Sequence, residues 1–317
     1  MKVVVAVGGN AMTAPDGAAR PEDQIAAVAR AAEPIADLVA AGAEVLLTHG
    51  NGPQVGNLLV KNELAAAIVP PVSLDWCGAQ TQGTIGFILV DALERALDAR
   101  GVNRPVAALV TRTLVAGDDA GFRTPTKPIG RFIPAEEAAV LIEHGQVWQD
   151  RGARGWRRVV ASPEPLELLD APAVRALSDA GFVVIAAGGG GIPVVRDDDG
   201  TVRGVEAVID KDLAAAVLAR AVGADVLVIA TDVDAAVLDF GTDHATPVGA
   251  TTVAELRAHA DSFAAGSMGP KVEAVCRFVE GGGIRGVISS LDRIADAAHG
   301  LAGTVVTATP KEGLLHA

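Results

Sequence analysis

Along this chain, short runs of apolar and β-branched residues alternate with longer alanine-rich stretches whose apolar positions recur at helical spacing. The strand-like runs cover residues 3–7, 44–48, 106–110, 182–187, 226–230 and 286–290. They lack polar alternation, so each predicts a strand covered on both faces, as in a mostly parallel sheet. The spacing predicts helices over 22–41, 53–67, 82–100, 173–180, 212–222, 253–260 and 270–280. Pro21 lies near the first turn of the first helix and Gly42 just past its end, where these residues suit a start and a stop. Strands and helices in alternation predict an α/β fold, an open and mostly parallel sheet sandwiched between helices.

Two stretches break the rhythm. Residues 111–155 contain TPTKPIGRF and little periodicity, and are expected to form an inserted lid or small protruding subdomain. Residues 194–205 contain RDDDGT, a turn between two short strands. A shift in pattern at Pro163 to Pro172 divides one domain into an N-terminal lobe, about 1–165, and a C-terminal lobe, about 166–317. Trp76 and Phe87 are read as core, the alternative being a dimer face shared with the helix over 82–100.

Composition changes this picture in three ways. With half of its 317 residues hydrophobic and 21% charged, the chain can build a large core and is not a disordered segment. A formal charge of −13 without a basic stripe argues against a nucleic-acid partner. It also repels anions at long range, so any anion site must bring its own donors, and the chain has only six lysines. Cys77 and Cys276 are too far apart to outline a disulfide framework or a zinc site. The opening MKVVVAVGGN lacks the longer apolar core of a signal peptide. The longest uncharged stretch, 180–195, is interrupted by glycines and too short to span a membrane, so a cytoplasmic protein is expected.

The candidate chemistry sits where strands meet helices. Gly8, Gly9 and Asn10 follow the first strand; glycines let backbone N–H groups approach an oxyanion, and the amide adds a donor, although alone this is also a plain turn. THGNGPQ, residues 48–54, follows the second strand and opens a helix whose N-terminus favours an anion. Asn51 there is suited to orient a carboxylate-like acceptor, while His49 reads as structural rather than as a base. Gly188 to Gly191 imply something large against the backbone, and a triphosphate fits; neither a Walker A pattern nor a dinucleotide fingerprint is present. Asp210, Lys211 and Asp212 open a helix between apolar stretches, which suggests a lysine held by carboxylates beside a buried site. Lys271 falls in the first helical turn after GSMGP, where a cation is disfavoured unless a negative ligand offsets it. Pro125 and Pro128 stiffen the loop that carries Lys127. Thr231, Asp232 and Asp234 follow a strand, where carboxylates meet nucleotide or metal, or else cap a helix or turn. Several glycine-rich turns and three lysines converging on one sheet edge make up the inventory of phosphoryl transfer, which needs donors and cations around charge spread over equatorial oxygens.

The ordered series VAVGGNA, THGNGPQVG, CGAQTQG, PTKPIG, GWRRVVASP, GGGGIPV, GVEAVIDKDLAA, ATDVDA and GSMGPKVEA resembles that of the carbamate kinases, in the amino-acid kinase superfamily, from residue 3 to about 290. The resemblance implies a single open α/β/α sandwich with a small protruding subdomain, usually a homodimer. It implies reversible transfer from ATP to carbamate with Mg²⁺, often run toward ATP in arginine catabolism, with the ion held mainly by the ATP phosphates. It places the acceptor and the transferred group on Gly8, Gly9, Asn10, Gly50, Asn51 and Gly52 in the N-terminal lobe. Lys211 and Lys271 stabilise charge, Asp212 positions them, and Lys127 reaches in from the subdomain. In the C-terminal lobe Gly189, Gly190, Thr231, Asp232, Asp234, Met268 and Gly269 lie near the nucleotide. Two departures stand out: Val237 replaces a tyrosine after TDVD, and Phe132-Ile133 replaces a Phe-Tyr pair, in a chain with no tyrosine. Two other readings are a sister kinase for a larger acid, which needs an open apolar pocket, and a non-catalytic nucleotide sensor, which needs none of the three lysines.

Overall fold

The computed structural model describes residues 1–9, 20–263 and 268–310. The N-terminal half opens β1 (Lys2–Val7), α1 (Pro21–Ala40), β2 (Glu44–His49), α2 (Gly52–Ala65), α3 (Leu74–Asp98) and β3 (Val106–Ala108). Then come β4 (Arg112–Leu114), α4 (Ala120–Arg123), β5 (Lys127–Ile133), α5 (Ala135–Glu143), β6 (Trp148–Asp150), β7 (Trp156–Val160) and β8 (Glu167–Leu168). The second half continues with α6 (Ala171–Asp179), β9 (Val183–Ile185), β10 (Ile192–Arg196), β11 (Val202–Gly204), α7 (Lys211–Ala221) and β12 (Val226–Thr231). It closes with β13 (Val237–Leu238), β14 (Thr246–Pro247), β15 (Ala250–Thr252), α8 (Val253–Ala258), α9 (Met268–Glu280), β16 (Arg285–Ser290), α10 (Ile294–His299) and β17 (Thr304–Thr307).

The main sheet has eight strands in the order β15-β17-β16-β12-β1-β2-β9-β3. It is parallel from β16 to β3, and β17 turns antiparallel against β16. Pleating sorts the side chains of β1: Val3, Val5 and Val7 join the core under α1, α3 and α10, while Val4 and Ala6 join the core under α6, α7, α8 and α9. Every one of these five residues is buried, which explains the unbroken apolar runs in the sequence. The result is the expected α/β/α sandwich.

Three expectations change. The helix read over 82–100 begins at Leu74, eight residues earlier, because CGAQTQG is helical despite its glycines. Gly86 is required there, since a methyl group on it would stand 2.8 Å from the Ala108 side chain. Trp76 and Phe87 are not core but 63% and 62% exposed. The stretch 111–155 does not form one unit: β4 joins β8, β10 and β11 in a four-stranded sheet, and the protruding sheet is β5-β7-β6, residues 127–160. In the main sheet, β9 from the second half of the chain lies between β2 and β3.

Candidate active site

Four neighbouring strands, β12, β1, β2 and β9, end together, with Val7 in register with Ala230 on one side and His49 on the other. Their turns therefore adjoin at the carboxyl edge, where ligands of open α/β sheets bind. The Gly8 N–H donates to Ala230 O at 3.1 Å and the Gly50 N–H to Val7 O at 3.0 Å. A methyl group on Gly50 would lie 2.7 Å from the backbone N of Gly9 and 3.5 Å from Cδ of Lys211. Two backbone turns and the stem of Lys211 thus make one surface, and only glycine permits the approach. Asn10, expected beside them, lies outside the described residues.

Gly52 is the first residue of α2 and Asn51 its N-cap. The Asn51 side chain does not cap the helix; its Nδ2 donates to Thr81 Oγ1 at 3.0 Å. The first-turn N–H groups of α2 are therefore not capped by it, and the positive end of the helix macrodipole meets the carboxyl edge.

The glycine tract after β9 is packed closely against other parts of the chain. All four glycines are buried. A methyl on Gly188 would lie 2.3 Å from His49 Nε2, and on Gly189 2.0 Å from Asn51 Nδ2. One on Gly190 would meet Ile209 O at 2.7 Å, and one on Gly191 Thr113 Oγ1 at 2.0 Å. Hydroxyls tie the tract down: Thr48 donates to Ala187 O, Thr113 donates to Gly190 O, and Thr111 accepts from the Ala187 N–H. Gln82 holds Thr111 through both backbone groups. Thr48, Thr81, Gln82, Thr111 and Thr113 were not foreseen; polar residues in otherwise apolar stretches were the available signal.

His49 is structural. Its Nδ1 lies 2.9 Å from Gly50 O, a carbonyl that can only accept, so Nδ1 carries the proton. Burial, with Lys211 adding to it against the Gly50 hydrogen bond, lowers its pKa from 6.5 to about 4. The folded ring stays neutral while an unfolded ring protonates, so acid erodes stability as pH falls from about 6.5 toward 4, and stability is regained above that window. An NMR titration should show the His49 ring uncharged at pH 5.5, a value inside that window; a midpoint near the ordinary value would contradict the buried setting.

The charged centre lies at the start of α7. Lys211 Nζ donates to Asp212 Oδ1 at 2.5 Å, and Lys271 Nζ stands 3.4 Å from Asp212 Oδ2. Asp212 and Lys271 are only 4% and 8% exposed. Lys127 Nζ donates to Asp210 Oδ2 at 2.7 Å. Asp210 also caps α7, its Oδ1 accepting from the N–H groups of Asp212 at 2.9 Å and Leu213 at 3.3 Å. Burial pushes the Asp210 carboxyl up, but the Lys127 ammonium and the two backbone donors outweigh it and hold the carboxyl below its usual value. The three lysines singled out in the sequence are thus gathered by two carboxylates on one helix start. Asp210, expected to hold Lys211 together with Asp212, holds Lys127 instead.

Other expected residues stand around this centre. Thr231 ends β12 and its hydroxyl donates to Asp232 Oδ1 at 3.0 Å, with Asp232 and Asp234 exposed. Met268 opens α9 and packs partly against the core, and Gly269 passes under Phe263, whose carbonyl would lie 2.9 Å from an added methyl.

Comparison with known proteins now bears on this geometry. The sequence model described as "Amino acid kinase family" matches residues 1–290. The carbamate kinase of Thermococcus kodakarensis is 46% identical over 96% of this chain and 98% of its own. The chain belongs to the amino acid kinase family, among its carbamate kinases. A carbamate kinase of Pyrococcus horikoshii is 42% identical over 96% of this chain and 99% of its own. The solved carbamate kinase of Giardia lamblia bound to AMP-PNP superposes with a TM-score of 0.90 at 38% identity, covering 96% of this chain and 98% of that one. As a member of the carbamate kinases the chain is an ATP-dependent kinase.

Proposed function

We propose that the chain transfers a phosphoryl group reversibly between ATP and carbamate, giving ADP and carbamoyl phosphate. The observation that carries the reading is the meeting of Lys127, Lys211 and Lys271, from three separate segments, on Asp210 and Asp212 beside the Gly9–Gly50 backbone. Carbamate already bears its charge, so no base is required, and the neutral, buried His49 agrees with that. Gly8, Gly9, Asn10, Gly50, Asn51 and Gly52 line the acceptor and the moving group; the Gly8 and Gly50 N–H groups are taken by Ala230 O and Val7 O, so Gly9 and the α2 N-terminus supply the backbone donors. Lys211 and Lys271 stabilise charge on the equatorial oxygens, Asp212 fixes them, and the 127–160 sheet delivers Lys127. Gly189 and Gly190, packed against Asn51 and Ile209, present their backbone to the nucleotide phosphates. Thr231, Asp232, Asp234, Met268 and Gly269 border the nucleotide in this reading, and the Giardia relative was solved bound to AMP-PNP.

Mg²⁺ accompanies the nucleotide in this reading. Among the described residues no three His, Cys, Asp or Glu side chains gather into a cage. Exposed Asp232 and Asp234 suit an ion that takes one or two carboxylates and keeps water and phosphate oxygens as its other ligands. The ion would supply neutralisation of phosphate charge. The remainder of the proposal is a cytoplasmic homodimer with a nucleotide lobe after about residue 165, running toward ATP in arginine breakdown. No helix among the described residues is long and apolar enough to cross a membrane. Leu64, Ile68, Trp76 and Phe87 of α2, α3 and the turn between them are exposed and suit a self-association face, which sedimentation would test by giving twice the chain mass.

Purified protein given carbamoyl phosphate, ADP and Mg²⁺ should form ATP rapidly. ADP binding without ATP formation would transfer the reading to another acceptor or to a sensor.

A further inference from the structure

Asp210 does two things at once. Oδ1 accepts from the first N–H groups of α7, and Oδ2 holds Lys127, which projects from the first residue of β5 across 83 positions of sequence. The carboxylate is largely buried, whereas the lysine side chain is 35% exposed, so the rigid partner is the aspartate. Capping fixes its orientation, because turning the carboxylate would release the helix N–H groups. The β5-β7-β6 sheet also rests on α2 through Ile129 and Val160, packed with Val55 and Leu59, and through the exposed Arg131–Glu63 ion pair, and the residue after β7 is tied to the approach to α7 by the Val208 N–H bond to Ala161 O. Apolar contacts of that kind set a separation between layers but not the position of an ammonium group at the far end of a flexible stem.

We propose that Asp210 is a positioning residue, a fixed dock that holds Lys127, and with it the edge of the 127–160 sheet, over the α7 start where Lys211 and Lys271 meet Asp212. The inference rests on the carbamate kinase reading for its kinetic consequence only. An arriving phosphoryl group then finds Lys127 already poised, rather than having to order it from solvent.

The substitution Asp210→Asn separates the two roles, since asparagine caps a helix as well as aspartate but cannot form the ion pair. We expect the variant to unfold at nearly the wild-type temperature. Its kcat/KM for carbamoyl phosphate should fall about tenfold, the scale of a misplaced catalytic group, with the KM for ADP little changed. Lys127→Ala should show a loss at least as large, and the double variant should be no worse than Lys127→Ala. Independently of turnover, brief acetylation read by mass spectrometry should label Lys127 several-fold faster in Asp210→Asn, relative to exposed Lys61. Unchanged labelling, or losses that multiply in the double variant, would overturn the dock. Faster labelling in a protein that forms no ATP would leave the dock standing and refute the proposed reaction.

Discussion

Replacing Lys211 with alanine lowers the rate of ATP formation from carbamoyl phosphate and ADP on the order of a hundredfold or more, while the protein stays folded. Lys271→Ala does the same. The fold should tolerate either change because Asp212 keeps the other ammonium as its partner, and alanine is a good helix former at the start of α7 or in the first turns of α9. The rate falls because each ammonium is held by Asp212 before the substrate arrives, so stabilisation of the equatorial oxygens costs little reorganisation. Arginine at 211 should rescue poorly, since its planar fork cannot take the place of a compact ammonium seated on Asp212 at the end of a stem that passes along Gly50. Coupled assays at saturating ADP measure both; near-normal rates in the two alanine variants would remove these lysines from the mechanism.

Asp212→Ala has the largest expected effect on stability. It leaves Lys211 and Lys271 together at the sheet edge without the buried carboxylate between them. Breaking a buried ion pair by removing one partner costs about 3–5 kcal/mol, because the remaining charge stays out of water. Urea unfolding should show a fall of that order. Activity should be lost in the residual folded protein as well, since repulsion drives the two ammonium groups apart. A variant with the wild-type unfolding midpoint would mean that the lysines reach solvent or other partners once released.

The strands and most helices could be read from the sequence because burial on both faces leaves a local mark. Val3 to Val7 or Val226 to Ala230 have no other way to be so uniformly apolar. Helix α3 shows the limit. Gly78, Gly83 and Gly86 lower helix propensity, and packing of Leu74 and Cys77 with Val55, Leu59, Ile129 and Val160 makes the helix start at Leu74. Strand β17 was missed for a related reason, since pairing with β16 and β15 decides it.

At the site, the residue types that chemistry demands were visible, and their partners were not. Lys127, Lys211, Lys271 and Asp212 stood out by their glycine, proline or aspartate neighbours. That Asp210 would join Lys127 to α7 depends on β5 folding back over the sheet edge, a contact across 83 residues. The glycine tract shows the same division. Its sequence told that something presses on the backbone; the fold decided that His49, Asn51, Ile209 and Thr113 do the pressing. By itself the sequence determined the buried strands, the α/β class and the stock of charged and glycine residues, all of which follow from local periodicity and residue chemistry. Tertiary structure decided which carboxylate meets which lysine, which side chains press on the glycine tract, and that Trp76 and Phe87 lie outside the core, because those outcomes depend on long-range strand order and helix orientation.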